Sequence, residues 1–549
     1  MRQVKVLDCT LRDGGRIIDC KFPDVDIKNI AYRLSQANID IVEMGFLRDP
    51  KIVNYAGNST FFTTISQVNR FIKSSEKDTS YVVFVDYSLY DFSTLEKYKV
   101  GGINGIRVGF TKNDFINHRD SLVEALKYVK KQGYELYIQG VNSLAYTDKE
   151  FLDVIDMVNN VIPNVFAIVD TYGAMYLDDL QHIYRLTNRN LNPDISIAFH
   201  SHNNFQLSFA LAQEFIKLGK ESNRNIIIDS TLNGMGKCAG NLNTELIVDF
   251  LVRKMYYNYD FEGILDLIDD YTYNIKKQYH WGYTIPSVMA AVYQSHPNNI
   301  IYLTDKFRLA TKDIKRIISM IPDDLRKRYD YDYIKNLYIK YNHTNIDDTE
   351  SIKEIRKKIK NKNILILVPG HSLIKFKDKI LETIDTNNTL VIPINFISKD
   401  INYNKQLPFF GSEKRYLKFK DNTAGISSIV VSNIMNPSNS DYIVNYESLI
   451  ERDNEDFDTS IIMCLNLLLK LDIKNITFAG FDGFDESKQN YFDTGLFEEG
   501  RFNKDYKRLT QNITNMLKQF AKKIDSNSEI KFLTPSMYED IFKKERILL

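Results

Sequence analysis

Two histidines one residue apart, His200 and His202, stand out in a chain that has only eight. They fall at the end of ISIAFHSH (195–202), a run rich in β-branched and aromatic residues. Side chains at i and i+2 of a strand share a face, so both imidazoles project together. Local hydrogen bonds can satisfy such a pair. A carboxylate from another strand would instead complete a facial metal site with open positions for substrate. Asp13 is the candidate carboxylate. It lies in Arg12-Asp13-Gly14-Gly15, directly after the strand-like run VKVLDC (4–9). The two glycines permit a tight backbone and close approach of a ligand. Arg12 brings a fixed positive charge beside the metal, a pairing suited to a substrate that develops an enolate oxygen. The alternative for Arg12 is a salt bridge with Glu43 or Asp170. A glycine-rich loop, NGMGKCAGN (233–241), supplies Asn241 as a neutral oxygen ligand or hydrogen-bond partner. Its Cys238 reads as packing rather than as a reactive thiol.

These residues must be brought together by the elements that carry them. Eight strand-like runs occupy the first 240 residues: 4–9, 40–46, 81–86, 105–110, 135–140, 165–170, 195–202 and 225–231. Helical stretches such as Ile27–Asn38, Arg119–Gln132, Lys149–Asn160 and Gln206–Leu218 alternate with them. Alternation of β and α implies a parallel sheet, and eight strands in roughly 235 residues is the count for a (β/α)8 barrel. An open doubly wound sheet is the competing arrangement. The polar residues Asp8, Arg12, Asp13, Glu43, Arg107, Gln139, Asp170, His200 and His202 cluster at the carboxyl ends of these runs. In a barrel those ends form one mouth, where active sites sit.

Composition bounds the rest. The 549 residues carry 71 Lys+Arg against 71 Asp+Glu, which argues against a general nucleic-acid binder. The four cysteines are scattered, with no CxxC pair, as expected in a reducing cytoplasm. No apolar run reaches about 18 residues, so no membrane span is expected. Residues 241–300 read as a helical and aromatic extension covering one barrel end, and 301–360 as a charged helical connector. From Asn363 a second α/β unit begins, with strand-like runs ending near residue 534. Its VPGHS (368–372) places Gly370 and Ser372 between strand and helix, and AGFDG (479–483) ends a later strand at Asp482. Strand ends at a sheet switch point are where nucleotides bind, so these three are the candidate cofactor-binding residues. This half, 361–549, is expected to be Rossmann-like.

DCTLRDGG, FHSHNN and NGMGKCAGNLNTE, taken in order, resemble the signatures of the DRE-TIM metallolyase superfamily. Its members include 4-hydroxy-2-oxovalerate aldolase, hydroxymethylglutaryl-CoA lyase and isopropylmalate synthase. The resemblance covers about residues 1–300, and HSHNN with DTYGAMY (170–176) is most similar to the aldolase branch. It implies a TIM barrel in which Asp13, His200, His202 and Asn241 hold a divalent metal, manganese first, with magnesium, cobalt or zinc as alternatives. Arg12 would steady the enolate oxygen. The implied activity is cleavage or formation of a 4-hydroxy-2-oxo acid through a metal-stabilised pyruvate enolate. One position departs: the aldolase branch has a catalytic His three residues after the metal-binding Asp, where this chain has Arg16. An Arg stays protonated and is a poor base. Tyr172, His280, Tyr283 and His296 are the other candidates, with Tyr172 and His296 preferred.

The second half resembles bacterial sialyltransferase-like and pterin-pyrophosphokinase-like domains through its strand–PGxS start, which implies a nucleotide or nucleotide-sugar ligand and a place in surface-sugar biosynthesis. The expectation is therefore a cytoplasmic metal-dependent aldolase fused to a Rossmann-like domain, possible as a homo-oligomer. A Claisen-type acyl-CoA synthase shares the metal site and is the first alternative. A barrel that has lost catalysis and serves as a binding module is the second.

Overall fold

The computed structural model describes residues 3–544 except 74–77, 308–310, 343–345, 387, 402, 420–425, 435–436, 439–440, 452–458, 485–489, 493–505 and 526–527. The chain divides into two compact units, Met1–Ile301 with Thr311–Tyr329, and Tyr302–Ala310 with Asp330–Leu549.

The first unit is a closed barrel. Its strands are β1 (Val4–Asp8), β2 (Ile41–Leu47), β3 (Ser80–Asp86), β4 (Gly105–Phe110), β5 (Glu135–Gly140), β6 (Val165–Asp170), β7 (Ser196–Ser201) and β8 (Ile226–Ser230). Each pairs in parallel with the next, and β1 pairs with both β2 and β8, which closes the ring. The open doubly wound alternative for this half is thereby excluded. Helices such as Asp24–Gln36 and Asp148–Val161 follow their strands and bury one apolar stripe, Ile27, Ile30, Ala31 and Leu34 in the first. Thr147 and Glu150 form a capping box at the start of the second, satisfying free N–H groups there.

The strand period of two sorts the interior into layers. Leu7, Ile41, Val82, Tyr137, Ala167, Ala198 and Ile227 pack together as an apolar floor. Two residues onward, toward the carboxyl ends, the inward positions become Cys9, Glu43, Phe84, Gln139, Val169, His200 and Asp229. Most of the polar side chains of the mouth thus stand directly on the apolar floor.

Strand β2 is irregular. Its register against β3 shifts between Glu43 and Phe46, and Gly45 has φ of +144°. A Cβ there would lie 2.3 Å from the Thr60 carbonyl oxygen. The bulge lets Phe46 and Leu47 pair with the short strand Phe61–Phe62, which period reading did not anticipate.

Residues 241–300 do more than cover one end of the barrel. Tyr257 and Tyr259 reach its amino end, where their hydroxyls bond Val4 N–H and the Asp40 carboxylate. Trp281 reaches the opposite end and donates its indole N–H to the Asn233 carbonyl at 2.9 Å. The 301–360 stretch is helical but is not a solvated connector. Ile314, Ile317, Ile318 and Ile321 are buried in the first unit, and Ile334, Ile355 and Ile359 in the second.

The second unit holds a four-stranded parallel sheet of β9 (Asn363–Leu367), β10 (Thr389–Pro393), β14 (Asn475–Ala479) and β15 (Glu529–Phe532), in the order β10-β9-β14-β15. A three-stranded parallel sheet, β11 (Phe409–Phe410), β12 (Ile429–Val431) and β13 (Tyr442–Val444), adjoins it. Bridges between Val391 and Gln406 and between Ile394 and Phe409 join the two edge to edge. The strand order turns back between β9 and β14. Among the described residues, no helix is long and apolar enough to cross a membrane.

Gly45→Ala is expected to lower stability by about 2 kcal/mol or more, because both φ and the Thr60 carbonyl oppose a Cβ. The midpoint of chemical denaturation would read it, with Gly101→Ala, whose Cβ meets nothing within 4 Å, as the control for positive φ alone.

Candidate active site

The mouth is built on a ring of charged side chains. Arg12 Nε donates to Glu43 Oε2 at 2.6 Å, and Arg107 Nη1 lies 3.0 Å from Glu43 Oε1. Arg107 Nη2 also donates to Asp229 Oδ2, which is 3.1 Å from His200 Nδ1. His200 Nε2 is 3.8 Å from Asp13 Oδ2, and Asp13 Oδ1 accepts from Arg12 Nη1 at 2.7 Å. The ring closes through six side chains, each at most 5% exposed. Of the two partners expected for Arg12, Glu43 is the one it meets. Asp170 instead accepts the N–H groups of Ala174 and Met175, fixing the DTYGAM turn, and burial raises its carboxyl to about 6.

Asp13 is held by its own loop, in which the N–H groups of Arg12, Asp13 and Gly14 all point at the Cys9 carbonyl. Burial opposes its charge, but Arg12 above all, then His202 and His200, keep it well below the ordinary carboxylate range. His202 Nε2 lies 3.5 Å from Asp13 Oδ2, and the two imidazoles meet edge to face at 5.3 Å. Burial, against the pull of Asp13, brings His202 down to about 4, so its ring is neutral and free to act as a ligand. The donor atoms of Asp13, His200 and His202 all lie within 4.8 Å of one another.

Whether this set suits a cation is tested by its charge and its unmet atoms. The ring sets three carboxylates against two guanidiniums in a buried place, with Arg16 reaching Asp13 from the rim. Asp13 Oδ2 and Asn241 Oδ1 are buried and have no hydrogen-bond partner among the described residues. Asn241 is bridged through its backbone to His202 and donates its Nδ2 to the Met235 carbonyl at 3.0 Å, which orients the amide. Asp229 on His200 Nδ1 leaves Nε2 for a ligand, the arrangement by which carboxylates orient metal-binding imidazoles. The residues fit a divalent ion. Arg12 Nη2 is likewise buried without a partner among the described residues, a donor in reserve for a substrate oxygen.

Arg16 lies at the rim, 3.3 Å from Asp13 Oδ1 and with its guanidinium 4.8 Å from the Phe46 ring centre. Tyr172 is buried, and its phenol is pushed up to about 12 by that burial. His296 comes from the helical extension. Burial, followed by the charges of Lys237 and Arg16, lowers it to about 4. Its ring packs 4.8 Å from that of Tyr329, and its Nδ1 accepts from Asn298 N–H. His280 and Tyr283 are exposed. Cys238 is raised to about 12 by burial, in keeping with a packing role.

In the second unit, Gly370, Ser372 and Asp482 do meet. The Asp482 carboxylate accepts both the N–H and the hydroxyl of Ser372, and a Cβ at Gly370 would strike Asp482 and the Gly480 carbonyl. These groups satisfy one another across the β9 and β14 loops.

Asp229 lies outside the motifs read from the sequence, while Asn204, the last residue of FHSHNN, ties the Tyr172 carbonyl to the Ala239 N–H. The signal for Asp229 was a lone carboxylate inside the apolar run NIIID.

Residues 106–270 match the family described as HMGL-like. A 2-isopropylmalate synthase of Geobacillus sp. (strain Y412MC10) is 26% identical over 45% of this chain and 47% of its own length. The oxaloacetate decarboxylase of Mycobacterium tuberculosis is 24% identical over 46% and 71%, and a 4-hydroxy-2-oxovalerate aldolase of Carboxydothermus hydrogenoformans is 23% identical over 49% and 77%. The chain thus spans about half the length of the first of these relatives. Among solved structures, a hydroxymethylglutaryl-CoA lyase of Brucella melitensis aligns over 50% of this chain and 100% of its own, at 16% identity and a TM-score of 0.41.

Asp229→Asn is expected to weaken Mn²⁺ or Co²⁺ binding about 10- to 100-fold by freeing the His200 ring. Titration calorimetry would measure it, and unchanged affinity would refute the orienting role. Glu43→Gln leaves Arg12 and Arg107 facing a neutral amide, and is expected to cost about 3–5 kcal/mol of unfolding free energy in denaturant titration.

Proposed function

We propose that the barrel is a divalent-metal-dependent aldolase that cleaves or forms a 4-hydroxy-2-oxo acid. The observation that supports this best is the set of unmet buried atoms, Asp13 Oδ2, Asn241 Oδ1 and Arg12 Nη2, beside the two imidazoles. Asp13, His200 and His202, with Asn241, would hold the ion, manganese being the first to test. When bound there, a divalent ion supplies Lewis acidity toward a 2-oxo acid.

The chain's own residues account for the remaining needs. In the cleavage direction the C4 hydroxyl gives up its proton, a C4 carbonyl forms, and the C3–C4 bond breaks. Its electron pair passes to the pyruvate enolate, which takes up a proton to give pyruvate. Arg12 Nη2 donates to the oxygen that gains charge, with no reorganisation because Glu43 and Asp13 already fix the guanidinium. Arg16 cannot accept the C4 proton. Tyr172, at about 12, is protonated near neutrality and serves as a donor. His296, at about 4, is neutral through the physiological range and is the base this reading assigns.

A second reading follows from the relatives, several of which are 2-isopropylmalate synthases. In it the same site joins an acyl-CoA to a 2-oxo acid.

The deciding experiment is pyruvate release from a panel of 4-hydroxy-2-oxo acids, with and without Mn²⁺, in wild type and His200→Ala. The aldolase reading expects metal-dependent pyruvate that is lost in the variant. Release of free CoA from acetyl-CoA and a 2-oxo acid, with no pyruvate from the panel, would replace it with the synthase. A base lowered to about 4 must lose its proton to act, so kcat/KM should stay level from neutrality down to about pH 5 and fall as pH drops through 4. His296→Gln should lower kcat by about 100-fold or more if His296 is that base.

A further inference from the structure

Two cations stand at the barrel lip without a carboxylate of their own. Arg16 shares Asp13 Oδ1 with Arg12, which holds it at 2.7 Å against 3.3 Å for Arg16. The Arg16 side chain is 40% exposed and lies over the Phe46 ring, so one face is packed and the rest is partly open to solvent. Lys237 is half-buried and makes no hydrogen bond or ion pair among the described residues.

The two loops that carry them are in contact. A Cβ on Gly14 would lie 3.4 Å from atoms of Met235, and Arg16 and Lys237 each stand two residues beyond that contact. Their charges act on each other and on His296. Gly236, beside Lys237, has no room for a Cβ because Asn241 Nδ2 would be 2.5 Å away. The backbone just before Lys237 therefore packs against Asn241, one of the proposed ion ligands. Asp19, another carboxylate whose charge Lys237 feels, is a surface group with its side chain 82% exposed.

Two partly desolvated like charges on touching loops are unfavourable unless an anion joins them. The 2-oxo acid end of the substrate is already provided for by Arg12 and the ion ligands. We propose that Arg16 and Lys237 form an anion subsite that binds a second negative group, a carboxylate or a phosphate, at the end of the substrate remote from its 2-oxo acid. The inference deepens the aldolase reading and rests on it. It assigns Arg16 a task at the position where a base would otherwise stand, and it makes the aldehyde fragment an anionic one.

The test is binding, which needs no turnover. Titration calorimetry of the Mn²⁺-loaded full chain would compare 2-oxoglutarate with 2-oxopentanoate, the same carbon chain without the terminal carboxylate. A 2-oxo acid with a terminal phosphate forms the third arm. Wild type should prefer at least one anionic ligand over the neutral one by about tenfold or more. Lys237→Met and Arg16→Gln should each bring that ratio toward one, and Lys237→Arg should keep most of it. The arm that shows the preference tells a dicarboxylate from a phosphorylated substrate. A wild-type ratio near one in both arms, absence of binding by all three ligands, or a preference that survives Lys237→Met would overturn the subsite. A preference without pyruvate release from any 4-hydroxy-2-oxo acid would retain the subsite and remove the aldolase. Pyruvate release without a preference would do the reverse.

Discussion

The barrel mouth depends on a closed circuit of charges in a place that water barely reaches. Arg12, Glu43, Arg107, Asp229, His200 and Asp13 are linked in that order, and Asp13 also meets Arg16 and His202 at the rim. Isolated buried charges are strongly disfavoured, so no member can leave without exposing its two neighbours to that penalty. The ring is possible because a barrel brings inward positions of distant strands to one level, directly above an apolar floor that fixes their height. The unmet acceptor atom of Asp13, with that of Asn241 beside it, is what would suit this network to a cation.

The irregular parts of the fold serve that ring. The bulge at Gly45 turns β2 so that Glu43 stays inside while Phe46 comes up under the rim. There Phe46 lies against the guanidiniums of both Arg16 and Arg48, and Arg48 is held by Asp86. An aromatic ring is an apt seat for guanidinium groups, since it attracts the cation without neutralising it. The helical extension runs from Tyr257 and Tyr259 at the barrel's amino end to Trp281 and His296 near the mouth. A chain that starts the barrel at one end thus returns to furnish the other.

The second unit has its own core and its own parallel sheets. Its strand order turns back between β9 and β14, the place where open parallel sheets leave a crevice. In this chain the crevice loops are laced together by Asp482 and Ser372, whose N–H is therefore not free at the helix start.

The amino-acid sequence determined most of the barrel unaided. Eight β-branched runs alternating with amphipathic stretches fall where the eight strands are, because burial on both faces demands that composition and a helix demands another period. The pairing of His200 with His202, and of both with Asp13, was also legible, since strand alternation and loop position after β1 are local properties. Asp229 and Lys237 were not legible. A carboxylate inside NIIID has meaning only once Arg107 and His200 stand across the barrel from it. Lys237 has meaning only where the 231–241 loop lies against Gly14 and brings it toward Arg16. The bulge in β2, the division of 301–360 between two units and the placing of His296 near the rim were likewise decided by packing over long sequence separations, which no local period encodes.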